Sequence, residues 1–284
     1  MHLVTLHKKP SVLGMRAISI FPALTMTTDS PNIYIDIEPE AFAASRRHEF
    51  EFQISDYKWT YHTRIDYCLK DLVGQLEQLK KHAPNHTQVL CMGHKNNFRY
   101  AIYPRYKSNR RGIRKAAGYG ALREWLAENY ESVILPNVEA DDALGLMAGP
   151  DDLIYSKDKD LRTIKGVHME PNGDLTEVTE LEANRNFYKQ VLTGDSTDGY
   201  PGCPNVGVNA KFFSSDDWLK CYTEIDFWQL VQGQYLLATK KLFDRHEVTD
   251  PLKFCMQMAR VARILRPGEY DHEKEKPVLW DGPG

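Results

Sequence analysis

The chain reads as an α/β protein, with a mostly parallel sheet flanked by helices and then a helical region, and three observations carry that reading. Short β-rich runs alternate with helix-like stretches from residue 32 to about 166, the pattern of βαβ units. Acidic residues stand at the ends of the apolar runs, and the carboxyl ends of neighbouring parallel strands share one crevice. After residue 186 the β signal fades and the pattern becomes helical.

In chain order, strands are expected at 33–35, 88–92, 133–135 and 153–156, and helices at 61–81, 121–130 and 141–147. A turn-rich segment follows at 199–207, and Arg266, Pro267 and Gly268 end a helix expected over 254–265. Residues 1–30 read as a disordered leader, with Met15 and Met26 as alternative starts. Lys8 and Lys9 precede a mildly apolar stretch that contains Pro22 and lacks a convincing cleavage site, so a signal peptide is disfavoured. No run approaches the roughly 18 apolar residues of a membrane span.

With 284 residues, 42% of them apolar, the chain can bury one large core or two modest ones. Its net charge of −3 gives no global sign of nucleic-acid binding, so the distribution of charge decides. The five cysteines are widely spaced and lack any CxxC pair, which suggests neither a disulfide framework nor a zinc knuckle and fits a reducing cytoplasm.

The chemistry lies in the acids. Asp36 closes the first apolar run; Glu139, Asp141 and Asp142 follow the third; Asp158 and Asp160 follow the fourth; Asp195 and Asp198 follow the apolar stretch ending at Leu192. Each group alone has an ordinary explanation, as a helix first turn or a polar loop. Together at one crevice, eight carboxylates would repel strongly unless hard divalent cations neutralise them, and that combination reads as a metal-dependent phosphate-cleaving site.

Residues 95–123 carry Lys95, Arg99, Arg105, Lys107, Arg110, Arg111, Arg114, Lys115 and Arg123 with no Asp or Glu. Interleaved with Phe98, Tyr100, Tyr103, Tyr106 and Tyr119, this one-signed run suits phosphate contact and base stacking. Gly202, Pro204, Asn205, Val206 and Gly207, then Lys211, read either as a surface loop or as a hairpin between helices that touches a phosphate run through backbone groups. The position directly after Asp198 favours the hairpin.

As a set, in this order, these segments resemble the 5′-nuclease superfamily: flap endonucleases, the 5′-nuclease domain of bacterial DNA polymerase I and, above all, bacteriophage 5′→3′ exonucleases. The resemblance runs from residue 32 to the end and includes the C-terminal stretches 257–266 and 278–280. It implies a PIN-like nuclease domain (31–185) with a basic arch or clamp at 95–123. A helix-hairpin-helix DNA-binding region of the H3TH type (186–250) and a C-terminal helix and tail packing on the nuclease domain (251–284) would follow. It also implies that Asp36, Glu139, Asp141, Asp142, Asp158, Asp160, Asp195 and Asp198 hold two magnesium or manganese ions. Lys107 and Arg110 would engage the scissile phosphate, and Tyr106 would stack on a terminal base. Arg111, Arg114, Lys115, Gly202, Asn205, Val206, Gly207 and Lys211 would contact DNA, with potassium at the hairpin.

Two positions depart from the family pattern. Gly93 and His94 stand where many members carry a second Asp, and Asn205 stands where the hairpin usually has Gly, which Asn replaces tolerably in a left-handed conformation. The expected activity is 5′→3′ exonucleolytic or flap-type hydrolysis of DNA, or of RNA in hybrids, by a monomer in the cytoplasm, that of the host if the chain is phage-encoded. The competing readings are a haloacid-dehalogenase-type phosphatase with Asp36 as nucleophile, and a non-catalytic relative that binds DNA junctions.

Overall fold

A computed structural model describes residues 30–246 and 248–284; the expected leader, apart from Ser30, lies outside the described residues. Asn32–Asp36 forms β1, Glu38–Arg47 α1, Glu49–Ser55 β2, Lys58–Thr63 β3, Ile65–His82 α2 and Thr87–Cys91 β4. Arg99–Ile102 forms α3, Tyr119–Asn129 α4, Ser132–Val133 β5, Ala140–Met147 α5, Leu153–Tyr155 β6, Gly166–Met169 β7 and Leu175–Val178 β8. These are followed by α6 (Glu180–Thr193), α7 (Asp216–Leu219), α8 (Glu224–Leu237), α9 (Thr239–His246), α10 (Pro251–Ala262), β9 (Tyr270–Asp271) and β10 (Lys276–Pro277).

The central sheet has the order β5-β4-β1-β6-β7-β8 and is parallel except for the β7–β8 pair. Both its faces are covered, which is why the middle of β1 reads as a continuous apolar run: Ile33 and Ile35 pack with Leu72, Leu76 and Leu122 on one side. Tyr34 packs with Leu144, Ile264 and Leu265 on the other. From β1 the chain moves outward through β4 to β5, then returns to the other side of β1 at β6. The β1–β6 boundary is therefore a topological switch point, the place where an open α/β sheet leaves a crevice at its carboxyl ends.

A third apolar cluster belongs to the helical region, where Tyr188, Phe227, Trp228, Tyr235, Met258 and Trp280 pack together with Tyr106. The C-terminal segment joins the cores: α10 lies in the helical cluster, whereas Ile264, Leu265 and Tyr270 lie against the sheet. Asp250 caps α10 by accepting from Leu252 N and Lys253 N, so that helix starts before the expected residue 254 and ends at Ala262. Among the described residues no helix is long and apolar enough to cross a membrane.

Three features differ from the sequence reading. Residues 61–63 belong to β3 rather than to a helix, because β2 and β3 form an antiparallel hairpin from Glu49↔Thr63 to Ser55↔Lys58. The β7–β8 pair extends the sheet. The helical region expected after residue 186 is broken beyond the 202–207 turn, where the chain enters a 3-10 turn, Lys211–Ser214, and the short α7 before the longer α8.

Candidate active site

The acids do meet at the carboxyl ends of the strands, in a cleft of about 600 Å³ lined by Asp36, Glu139, Asp141, Asp158, Asp160 and Asp198. Asp36 ends β1 and is 4% exposed; its Oδ2 accepts from the hydroxyl of Ser156, just past β6. Burial, with the charges of Glu38 and Glu40, pushes the Asp36 carboxyl up to about 7. Burial and the neighbouring Asp36, Glu139 and Asp158 raise Asp141 well above the ordinary carboxylate range. Across the cleft, Asp160 is pushed up to about 7 by burial and by Asp158 and Asp195. Among the described residues, none of Asp36, Asp141, Asp158, Asp160 and Asp195 forms an ion pair with Lys or Arg.

The Asp195 loop is shaped by two glycines. Gly194 (φ 64°) ends α6 and Gly202 (φ 63°) lies against it; a Cβ on Gly202 would come 2.2 Å from Gly194 N. Between them Asp195 and Tyr200 exchange backbone hydrogen bonds, and Asp195 Oδ1 accepts from Thr197 N and Asp198 N. Asn205 is left-handed with φ 66°, as its side chain permits.

The basic segment does not stand clear of the acids. Lys107 N donates to Asp198 O at 2.7 Å, and the Asn109 amide reaches Ser196 O and Thr197 O. The Lys107 ammonium pairs with Glu139 and faces Asp198 Oδ2 at 3.6 Å, while Arg110 bonds Asp198 Oδ1 at 2.7 Å. Burial pushes Glu139 upward, but Lys107 and Arg99 outweigh it and hold Glu139 below its ordinary value. The segment holds α3, a 3-10 turn at Ser108–Arg110 and, from Tyr119, the start of α4, with no long arch helix between them.

Two assignments are corrected. Asp142 is fully buried and points away from the cleft: Oδ1 accepts from Arg99 and Leu265 N, and Oδ2 from Arg99 and Glu139 N. A carboxylate offers about four lone-pair sites, all of them taken here, so Asp142 has none left for a metal. It anchors Arg99, itself 3% exposed and bonded to Val261 O and Arg263 O. Tyr106, expected to stack on a base, is 2% exposed, with its hydroxyl 2.7 Å from Glu139 Oε2 and 2.8 Å from Asp198 Oδ2. A phenol has one proton to give, so the second contact needs a proton on a carboxylate; burial raises Asp198 in that direction.

Arg114 spends its guanidinium on both oxygens of Glu49 and stacks on Tyr61, 3.6 Å from the ring centroid. Lys115 lies over Tyr119, and Arg111 bonds Pro104 O. Gly202, Val206 and Gly207 form the turn, with Lys211 exposed just beyond it. The His94 ring is a loop brace, its Nδ1 accepting from Asn96 N and Asn137 N. The phosphatase reading needs an Asp as general acid two residues after Asp36; this chain has Glu38 there, which accepts from Gly93 N and pairs with Arg123.

The sequence reading passed over the β2–β3 hairpin. It exposes Phe50, Phe52, Ile54, Trp59 and Tyr61, and Glu49 pins it to Arg114 at the rim of the cleft. The alternation of aromatic and polar residues over 49–63 was the available signal.

The donor set fits a hard divalent cation. Asp36 and Asp141 are recessed, repel each other and form no ion pair with Lys or Arg, and the Lys107 charge only partly offsets the burial and repulsion that raise Asp141, so added positive charge between them favours both being ionised. Among the described residues no three acid, imidazole or thiol groups already close around one point, so the cleft is a ring of acids rather than a preformed cage.

No family model matches the chain. It is similar to an exodeoxyribonuclease of Enterobacteria phage T3, with 26% identity over 269 residues, 84% of this chain and 89% of that one. An exonuclease of Escherichia phage T7 is 28% identical over 271 residues, with the same coverage. A flap endonuclease Xni of Shewanella piezotolerans is 29% identical over 187 residues, 58% of this chain and 72% of that one. Among solved structures, zinc-bound T5 5′-exonuclease gives a TM-score of 0.46 at 16% identity, covering 82% of this chain and 93% of that one. The DNA-bound catalytic core of Rad2 gives 0.45 at 13%, covering 90% and 83%.

Proposed function

We infer that this chain, which belongs to the 5′-nuclease superfamily of phage 5′→3′ exonucleases and flap endonucleases, hydrolyses phosphodiester bonds of DNA from 5′ ends. The observation that carries the reading is the convergence of acids from four separate chain segments on one cleft that also holds Lys107 and Arg110. Asp36, Glu139, Asp141, Asp158, Asp160, Asp195 and Asp198 are the residues that would hold two magnesium or manganese ions. Divalent ions bound there supply an acidified water and positive charge near the leaving oxygen.

The chain's own groups do the rest. Lys107 and Arg110 rest on Glu139 and Asp198; once those acids are neutralised otherwise, both cations are free to face a phosphate in the same cleft. Ser156 and Glu38 N orient the Asp36 carboxylate. Tyr106 fixes the spacing of Glu139 and Asp198 from below. The exposed aromatics of the hairpin suit stacking of unpaired bases beside the cleft.

We assign residues 31–185 to the nuclease part, with 95–123 as its clamp, 186–250 to the duplex-binding part and 251–284 to the segment that ties them. The 202–207 turn, with potassium on its carbonyls, would hold the duplex without reading its sequence. The substrate is duplex DNA with a 5′ end, overhang or flap, or an RNA/DNA hybrid. The enzyme acts as a monomer, in the host cytoplasm if it is phage-encoded.

The test compares 5′-labelled and 3′-labelled duplexes digested by wild type and Asp158→Ala in magnesium. Early release of the 5′ label by wild type only, abolished by chelator, is expected. Equal digestion by both proteins, or digestion that persists in excess chelator, overturns the reading.

A further inference from the structure

Strand β4 lies between β1 and β5, its carboxyl end beside that of Asp36, yet it brings no acid to the cleft: it runs through Leu90 and Cys91 to Met92 and Gly93. A carboxylate nevertheless occupies that place. Glu38, in the first turn of α1, accepts a hydrogen bond from Gly93 N on Oε1 at 3.2 Å. A Cβ added at Gly93 would lie 3.4 Å from Glu38 Oε2, 3.3 Å from Ala140 N and 3.4 Å from Glu139 Cα. The missing side chain of residue 93 would thus point between Glu38 and the start of the helix that carries Glu139 and Asp141. The Glu38 carboxylate fills that space, and an acid at 93 would compete with it.

The seat is built. Arg123 Nε pairs with Glu38 Oε1 at 3.1 Å, and the same guanidinium donates to Gly93 O, so one cation fixes both the carboxylate and the strand end. Glu38 is 30% exposed on its side chain and lines the same cleft as Asp36 and Asp141. Its own N–H donates to Asp36 Oδ1, which ties the two carboxylates through one turn of backbone.

We propose that Glu38 is the carboxylate that completes the cation-facing rim at the end of β4, held there by Arg123 in the space left by Gly93. This rests on the metal-dependent reading of the cleft. Ligand charge count tunes the affinity of such oxygen sites over decades, so loss of one rim carboxylate reads as about tenfold or more weaker binding.

The experiment titrates manganese into the full chain by electron paramagnetic resonance, comparing wild type, Glu38→Gln, Asp141→Asn and the double variant Glu38→Gln/Gly93→Asp. Glu38→Gln keeps an acceptor for Gly93 N, and a thermal melt in chelator checks that each variant is folded. The expected result is weaker manganese binding by Glu38→Gln and recovery in the double variant. If Asp141→Asn weakens binding but Glu38→Gln binds as wild type does, or the double variant is no tighter than Glu38→Gln, the role of Glu38 is overturned. If Asp141→Asn also binds as wild type does, the metal reading itself fails. A purely structural role for Glu38 would lower the melting temperature of Glu38→Gln and leave manganese affinity unchanged, which also overturns the proposal.

Discussion

Replacing Asp142 by Asn should unfold the protein early, whereas the same change at the adjacent Asp141 should not. Asp142 receives Arg99 on both oxygens at 2.6 and 2.7 Å and backbone N–H groups of Glu139 and Leu265 at 3.1 Å each. An Asn amide nitrogen cannot accept, so one Arg99 N–H and one backbone N–H are left facing a donor in the interior. Breaking a buried pair by removing one partner costs about 3–5 kcal/mol, because the remaining charge is stranded. For a chain of this size that corresponds to a fall in melting temperature of roughly 6–20 °C. Asp141 has the opposite situation: its carboxylate is repelled by Asp36, Glu139 and Asp158, and Asp141→Asn removes that repulsion. Urea and thermal melts in chelator should therefore show Asp142→Asn strongly destabilised and Asp141→Asn no less stable than wild type. Equal stability of the two variants would refute the division of these neighbours into anchor and site residue.

Other outcomes follow from the same geometry. Asp36 and Asp160 have carboxyls raised to about 7 in the folded chain, so the folded state binds more protons than the unfolded one between about 4 and 7. Stability in chelator should then fall as pH rises from 5 to 8. Added magnesium should raise the melting temperature more at pH 8 than at pH 5, and a magnesium effect independent of pH would contradict this. Lys107→Ala should lower kcat about 10²–10³-fold, the scale seen when one stabilising donor is lost. It should also move the acid limb of the pH–rate profile upward, since Lys107 holds Glu139 below its ordinary value; an unmoved limb would count against that link. Trp59→Ala in the exposed hairpin should weaken binding of substrates with an unpaired 5′ strand by about 1–3 kcal/mol, the value of one base stack. Its melting curve should be unchanged; equal loss on blunt duplex would argue against stacking.

What could be read from the sequence was set by local signals. Asp36 and Asp158 were legible because an acid at or within three residues of the end of an apolar run lies near the end of a buried strand, and the parallel sheet does the rest. Asn205 was legible because few residues tolerate its backbone conformation. Asp142 was not separable from Asp141, since its role is fixed by Arg99, 43 positions earlier, and by Leu265 N, which only the fold brings near. Tyr106 looked like a stacking residue because it sits in a basic, aromatic run; its burial comes from Tyr200 and the helical core. The hairpin was hidden at its second strand, whose aromatics run directly into the apolar face of α2, with Cys68, Leu72, Leu76 and Leu79, and so extend a helical pattern by a few residues.

The most direct test of the metal-dependent site is an anomalous difference map from crystals soaked in manganese. Peaks are expected in the cleft beside Asp36 and Asp141 and beside Asp158, Asp160 and Asp195, with none at Asp142. A map without peaks in the cleft, or with a peak on Asp142 instead, would contradict the assignment of these acids.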